Sequence, residues 1–240
     1  GLYTNFHARL SDFNVVDLAP TLYVQRRLGI TQLRFQYTLD YVTVGGDSYL
    51  VSNALQPTLT IPESERTFTQ AFMRYQRKDF QTFDLDPQGI NPTRDANNWM
   101  LGAMQYWRFS DDRGLVRAGY TFDADQTGSA VAQGNPAHTA ADWSYTGHRF
   151  SIGAAYKPLS ATTLQLAFDY YRQNYNNPNS FSPDLTVRKD NIYQLTGTAV
   201  RDLNSWLWVG FQYSYTRDQS NVAVFEYTRN IVSLTLGGAF

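Results

Sequence analysis

The chain has 240 residues, 20 basic and 21 acidic, a mean hydropathy of −0.43 and no cysteine. Balanced charge leaves no bulk footprint for nucleic acid, and the lack of cysteine excludes disulfide scaffolds and thiolate metal sites. No run of about 18 apolar residues offers a transmembrane helix, but strands of a membrane barrel need only about 9–11 alternating residues, which average hydropathy conceals.

Gly1-Leu2-Tyr3 enters a strand-like pattern at once, so a processed protein or a domain cut from a longer precursor is expected. Alternation over Leu2 to Leu10 predicts a first strand, and Ser11 to Pro20 reads as a loop. A second strand is expected over Thr21–Leu28 and a third over Gln32–Thr43. In the third, Leu33, Phe35, Tyr37, Leu39 and Tyr41 oppose Arg34, Gln36, Thr38 and Asp40. Gly45-Gly46-Asp47 marks a turn. A fourth strand over Ser48–Ile61 meets Pro57, where a bulge or an early end is expected because proline cannot donate to the ladder.

The fifth strand is predicted over Thr67–Arg77, before a polar loop from Lys78 to about Asn97. The sixth, Asn98–Phe109, has large apolar residues on both faces, so its facing stays open. Leu115–Asp123 is the seventh, followed by a loop over about 124–141, and Trp143–Tyr156 is the eighth. Leu164–Gln173 is the ninth, the loop Asn174–Lys189 follows, and Asp190–Val200 is the tenth. Trp206–Arg217 and Glu226–Phe240 complete a count of about twelve, with a range of 10–14.

Links after strands two, four, six, eight and ten are short, whereas most of the others are longer and polar. That rhythm is the sidedness of outer-membrane barrels, and closure is what lets a sheet span lipid without unpaired backbone groups. The expected fold is therefore all-β: a single domain over 1–240, a transmembrane antiparallel up-and-down barrel with both termini periplasmic. The final strand, EYTRNIVSLTLGGAF, alternates and ends on Phe240, which reads as a C-terminal assembly signal for the barrel-assembly machinery. A soluble all-β domain would explain the alternation but not the loop rhythm.

The polar faces collect Arg34, Asp40, Arg74, Arg117, Arg149, Asp169 and Arg229 as candidate lumen-lining residues, with Asp123 as a further partner. An arginine-lined interior favours anionic solutes or a polar polymer, while Arg–Asp pairs across strands would simply brace a narrow barrel. His7, His138 and His148 show no metal spacing and no HExxH, so neither metal nor cofactor is expected. His148 near Ser144 could serve a lipid hydrolase only with an orienting third group, which the neighbourhood does not offer, so no enzyme is expected.

Four segments carry a resemblance: YLVSNALQPTLTIPESERTFTQAFMRYQRKDF, YTGHRFSIGAAYKPL, RKDNIYQLTGTAVRDL and YSYTRDQSNVAVFEYTRNIVSLTLGGAF. The ending marked by Ser220, Asn221, Tyr227, Arg229, Asn230 and Phe240 weighs most. Together they resemble the C-terminal barrel of tetratricopeptide-containing outer-membrane proteins, including surface lipoprotein assembly modifiers and barrels linked to polysaccharide export. The resemblance implies an outer-membrane transport or export conduit surrounded by outer-membrane lipid and working with a periplasmic helical-repeat domain or partner subunit. An uptake porin for anionic solutes or acidic sugars and a structural anchor for a partner protein are the alternatives.

Overall fold

A computed structural model describes residues 2–5, 14–81, 94–110, 112–128, 131–132, 135–182 and 184–238. The strands are β1 (Leu2–Asn5), β2 (Val15–Leu18), β3 (Thr21–Leu28), β4 (Thr31–Val44), β5 (Asp47–Pro62), β6 (Thr67–Phe80), β7 (Ala96–Phe109) and β8 (Gly114–Thr127). They continue with β9 (Val131–Ala132), β10 (Asn135–Thr139), β11 (Tyr145–Leu159), β12 (Thr162–Pro178), β13 (Val187–Asp202), β14 (Leu207–Ser220) and β15 (Tyr227–Gly238). All but β9 and β10 form one sheet in which each strand pairs antiparallel with its sequence neighbour, along a path of twelve strands. β9 and β10 form a small separate hairpin. Among the described residues, β15 pairs with β14 and β3 with β4, and the outer edges of both are without a partner strand.

β2 and β3 are one strand in effect. Val15–Leu18 and Thr21–Leu28 pair with β4 in the same register, and the Pro20 carbonyl between them still accepts the Leu39 N–H at 3.1 Å. The second strand therefore starts at Val15 rather than Thr21: Pro20, with no donor, interrupts the ladder without turning the chain. Pro57 behaves alike. β5 neither bulges nor ends there; Pro57 faces Phe35 of β4, and only the ladder to β6 is open over Gln56 and Pro57. The first strand is described as far as Asn5, and the expected remainder to Leu10 lies outside the described residues, as does Phe240.

Most strands outrun their expected lengths. From β4 onward the main-sheet strands run from 12 residues in β15 to 17 in β12, most of the added length lying at the end of the longer links. The opposite end carries tight turns, at Gly29-Ile30, at 63–66, between Phe109 and Gly114, at Ser160-Ala161 and at 203–206. Gly29 sits at φ 62°, in the left-handed region that glycine tolerates. In the link after β8, Ala140–Trp143 forms a single 3-10 turn, and Thr127 Oγ1 donates to the Ala140 carbonyl at 2.6 Å.

Candidate functional site

Because strand residues alternate, the register assigns every side chain to one of two faces. Starting from Gln25 of β3, one row of partners runs through Arg34, Thr58, Phe72, Gly102, Thr121, Arg149, Tyr171, Ile192, Asp218 and Tyr227. All these residues share the polar face. The neighbouring rows place Asp40, Arg74, Arg117, Asp169 and Arg229 there too, so the seven predicted residues lie on one side of the sheet. The register also resolves β7: Asn98, Met100, Gly102, Met104, Tyr106 and Arg108 share the polar face, while Trp99, Leu101, Ala103, Trp107 and Phe109 take the other.

The polar face is laid down sideways, along its own wall. Arg34 donates to Gln25 Oε1 at 3.1 and 3.0 Å and its guanidinium lies 4.9 Å from the centre of the Tyr23 ring. Gln76 donates to Ser52 Oγ at 2.8 Å, and Ser52 donates to Asp40 at 2.8 Å, a relay across β6, β5 and β4. Ser151 donates to Asp169. Arg149 stacks 4.5 Å over Tyr171, and Arg229 lies 5.9 Å from the Tyr227 ring. Several large side chains rest on glycines of the adjacent strand, as Phe72 does on Gly102, Arg117 on Gly153 and Trp208 on Gly237. Tyr171 of β12 reaches over Gly147 of β11 to Asp123 of β8, donating to the carboxylate with oxygens at 2.9 and 2.7 Å.

Charge is segregated along this face. At the long-link end lie the buried carboxylates Asp123, Asp125, Asp190 and Asp218, all under 5% exposed. Among the described residues the ion pairs are Lys78–Asp125 and Arg188–Asp190, the latter at 2.5 Å. Arg34, Arg117, Arg149 and Arg229 therefore lean on tyrosines, glutamine and glycine, and bracing falls to Lys78, Asp125 and Arg188, which the sequence pattern places in loops, and to Asp190, the first residue of the expected tenth strand. Arg188 is packed 3.5 Å from the Phe225 ring centre and 4.5 Å from that of Tyr175, and Trp143 lies 4.4 Å beneath Arg94. At the short-turn end the balance reverses. Arg108, Arg113 and Lys157, with Asp112, line a recess of about 480 Å³. Arg117 is the next cation along that part of the wall.

The opposite face is apolar and exposed, with Leu22, Phe35, Leu101, Ile152, Leu166, Leu195, Phe211, Val232, Leu234 and Leu236 all at least 40% accessible. So wide an apolar surface on a sheet is a surface for lipid or a partner. It has a polar border. Tyr37 donates to Asn53 at 2.5 Å, Tyr75 to Asn97 at 2.7 Å, Tyr170 to Asn191 at 2.8 Å and Tyr213 to Asn230 at 2.7 Å. Tyr120 and His148 Nδ1 form the fifth such bond at 2.7 Å. Every tyrosine is on a strand rising from a short turn. Each partner is on the next falling strand, two residues before the residue directly opposite and so nearer the long-link end. Amphipathic rings with satisfied hydroxyls at one level mark an apolar–aqueous boundary.

His148 is thus a member of this border. Ser144 belongs elsewhere: its Oγ accepts the Thr127 N–H at 3.0 Å and sits 2.6 Å from Thr127 Oγ1. The two do not form a nucleophile–base pair. Near the short turns, Glu63 accepts from Thr69 and from Gln105, the latter at 2.8 Å, and these bonds hold its carboxyl below the usual carboxylate range.

No curated protein matches the chain. A family model described as "Putative beta-barrel porin 2" matches residues 118–240, from the middle of β8 to the end. That span is just over half of the chain, and it contains the Tyr171–Asp123 bridge and three of the five border tyrosine bonds. The sequence resemblance and this match agree on a barrel, the match does not extend to the tetratricopeptide-associated lineage, and it is to the beta-barrel porin 2 family that the chain belongs.

Proposed function

We propose that the protein is an outer-membrane porin-like channel for small anionic solutes, which enter through the mouth at the short-turn end. The observation that carries this reading is the basic recess formed there by Arg108, Arg113 and Lys157, with Arg117 next along the wall. In outer-membrane barrels the short turns face the periplasm, so the recess opens on that side. Cations set into a low-dielectric wall focus the field and raise the local concentration of anions. Guanidinium groups suit the task because they stay charged and present planar pairs of donors to carboxylate or phosphate oxygens.

Further along the wall, Arg149 and Arg229 are exposed on the polar face, where they offer weak successive contacts. Passage requires contacts good enough for entry and loose enough for exit. The sideways packing on glycines supports an open axis, since these side chains lie flat across the adjacent strand. Polymer export with a periplasmic helical-repeat partner rests on the sequence resemblance alone and is the lesser reading.

The test is a reversal potential measured in planar bilayers across a potassium chloride gradient. The native protein should prefer chloride, and R108E/R113E/K157E should move the reversal potential toward the potassium value. An unchanged reversal potential in the triple variant, or no conductance in the native protein, overturns the proposal.

A further inference from the structure

Above the tyrosine border the apolar face becomes polar, and it does so unevenly. On β12, β13 and β14 the outward positions there include Arg172, Lys189 and Arg217, all three exposed. Arg172 is two residues beyond Tyr170; Arg217 is directly opposite Tyr193 and four residues beyond Tyr213. Lys189 is opposite Asn174, diagonal to Arg172. The other outward residues at this level on β11 to β15 are neutral or imidazole: Thr146, His148, Asn174, Asn191, Gln219 and Asn230. Among the described residues none of the three cations has an ion-pair partner. On β6, by contrast, Arg77 shares its level with Asp79.

Beside these cations lies a shallow groove of about 450 Å³ lined by Tyr120, His148, Phe150, Tyr170, Arg172 and Asn174. Its lower part is aromatic and more than half of the Phe150 surface is open. Its upper part holds the Arg172 guanidinium, oriented by a bond from Nε to Asn174 Oδ1 at 3.3 Å. Aromatic below and cationic above, across the apolar–aqueous boundary, is the profile of a lipid: acyl chains against rings and an anionic headgroup against guanidinium and ammonium.

We infer that the outer wall of β11 to β14 binds a phosphorylated lipid of the surrounding leaflet, its phosphate held by Arg172, Lys189 and Arg217 and its chains lying on Phe150 and Tyr170. The bound class is a phosphorylated glycolipid with a net negative headgroup, and the site faces the leaflet on the side of the long links. Arg172 supplies the forked donors for the phosphate oxygens, and Lys189 and Arg217 supply charge. The other outward strand positions around the three cations are uncharged, and the acid nearest in register is the exposed Glu226, two residues before Thr228, the partner of Arg217. The inference is independent of what crosses the barrel.

The experiment is native mass spectrometry of the folded protein released from detergent micelles containing diphosphoryl lipid A, phosphatidylcholine or inorganic phosphate. The native protein should retain diphosphoryl lipid A in preference to phosphatidylcholine. R172Q/K189Q/R217Q should lower that retention by about tenfold or more, the effect of removing three cations from an anionic headgroup. R77Q should leave it unchanged, and R172Q alone, which retains two cations, should give a partial loss. Folding is checked by heat-modified gel mobility. Equal retention by the triple variant, an equal loss in R77Q, or displacement of the lipid by inorganic phosphate overturns the inference.

Discussion

Gly147→Ala tests how the polar face is assembled. A Cβ at Gly147 would stand 2.6 Å from the Tyr171 hydroxyl and closer still to Asp123 Oδ1, so the tyrosine must swing off the carboxylate. Asp123 is 3% exposed, and its other hydroxyl neighbour, Tyr145, is 3.5 Å away. A hydrogen bond to a charged acceptor is worth about 1.5–3 kcal/mol, and a buried carboxylate deprived of it loses more. Alanine recovers ~0.5–1 kcal/mol of backbone entropy relative to glycine, which works in the opposite direction. The net expectation is a loss of about 1–3 kcal/mol. It is read from reversible guanidinium unfolding of the barrel in phosphatidylcholine vesicles, followed by tryptophan fluorescence. Tyr171→Phe should lose a similar amount, and the double variant should lose less than the sum, with a coupling of at least ~1 kcal/mol. A Gly147→Ala protein within ~0.5 kcal/mol of the native one would refute the reasoning, as would an additive cycle.

Lys78→Met leaves the Asp125 carboxylate buried without its cation. Breaking a fully buried pair costs about 3–5 kcal/mol, and because Lys78 remains 22% exposed a loss of about 1–3 kcal/mol is expected in the same unfolding assay. Adding Asp125→Asn should recover most of it, and failure to recover would show that the pair is not the cause. Tyr213→Phe removes one exposed border bond and should cost only about 0.5–1 kcal/mol, with Tyr37→Phe and Tyr75→Phe costing the same. A zero effect at all three would mean that the hydroxyls are held by water equally well.

The alternation of residues carried most of the fold. Leu33 to Tyr41 and Leu164 to Tyr170 could sit only on strands with one apolar side, and the seven charged residues on their opposite sides fell on one face of the sheet. The bracing residues were missed for a specific reason. Lys78, Asp125 and Arg188 read as loop residues because each lies in a polar, asparagine- or aspartate-rich segment. The two-residue period nevertheless continues through them, as Gln76–Lys78, Asp123–Asp125 and Arg188–Asp190 on one face. Beyond the apolar band a strand has no lipid face to keep hydrophobic, so both of its sides become polar and the contrast that identifies it disappears. Roughly 3.3 Å per residue over the 17 residues of β12, tilted by about 40°, gives a wall some 40 Å tall against an apolar band of about 25 Å. The recess at the short-turn mouth was hidden for another reason: Arg108 lies on a strand whose facing was ambiguous, and Arg113 and Lys157 lay in predicted turns.

The five border bonds have a consequence for how the sheet is put together. In each, donor and acceptor belong to one hairpin closed at the long-link end: β4–β5, joined there by the Gly45-Gly46 turn, or β6–β7, β8–β11, β12–β13 and β14–β15, joined by longer links. A slip by one residue would turn the tyrosine and its acceptor to opposite faces, so the bond acts as a proofreading contact that a hairpin can complete alone, before its neighbours arrive. The β5–β6 and β11–β12 pairs, joined at the opposite end, take their alignment from the turn. The sheet is therefore a series of self-checked units, and gaining or losing one changes the strand number by two while leaving the border unbroken.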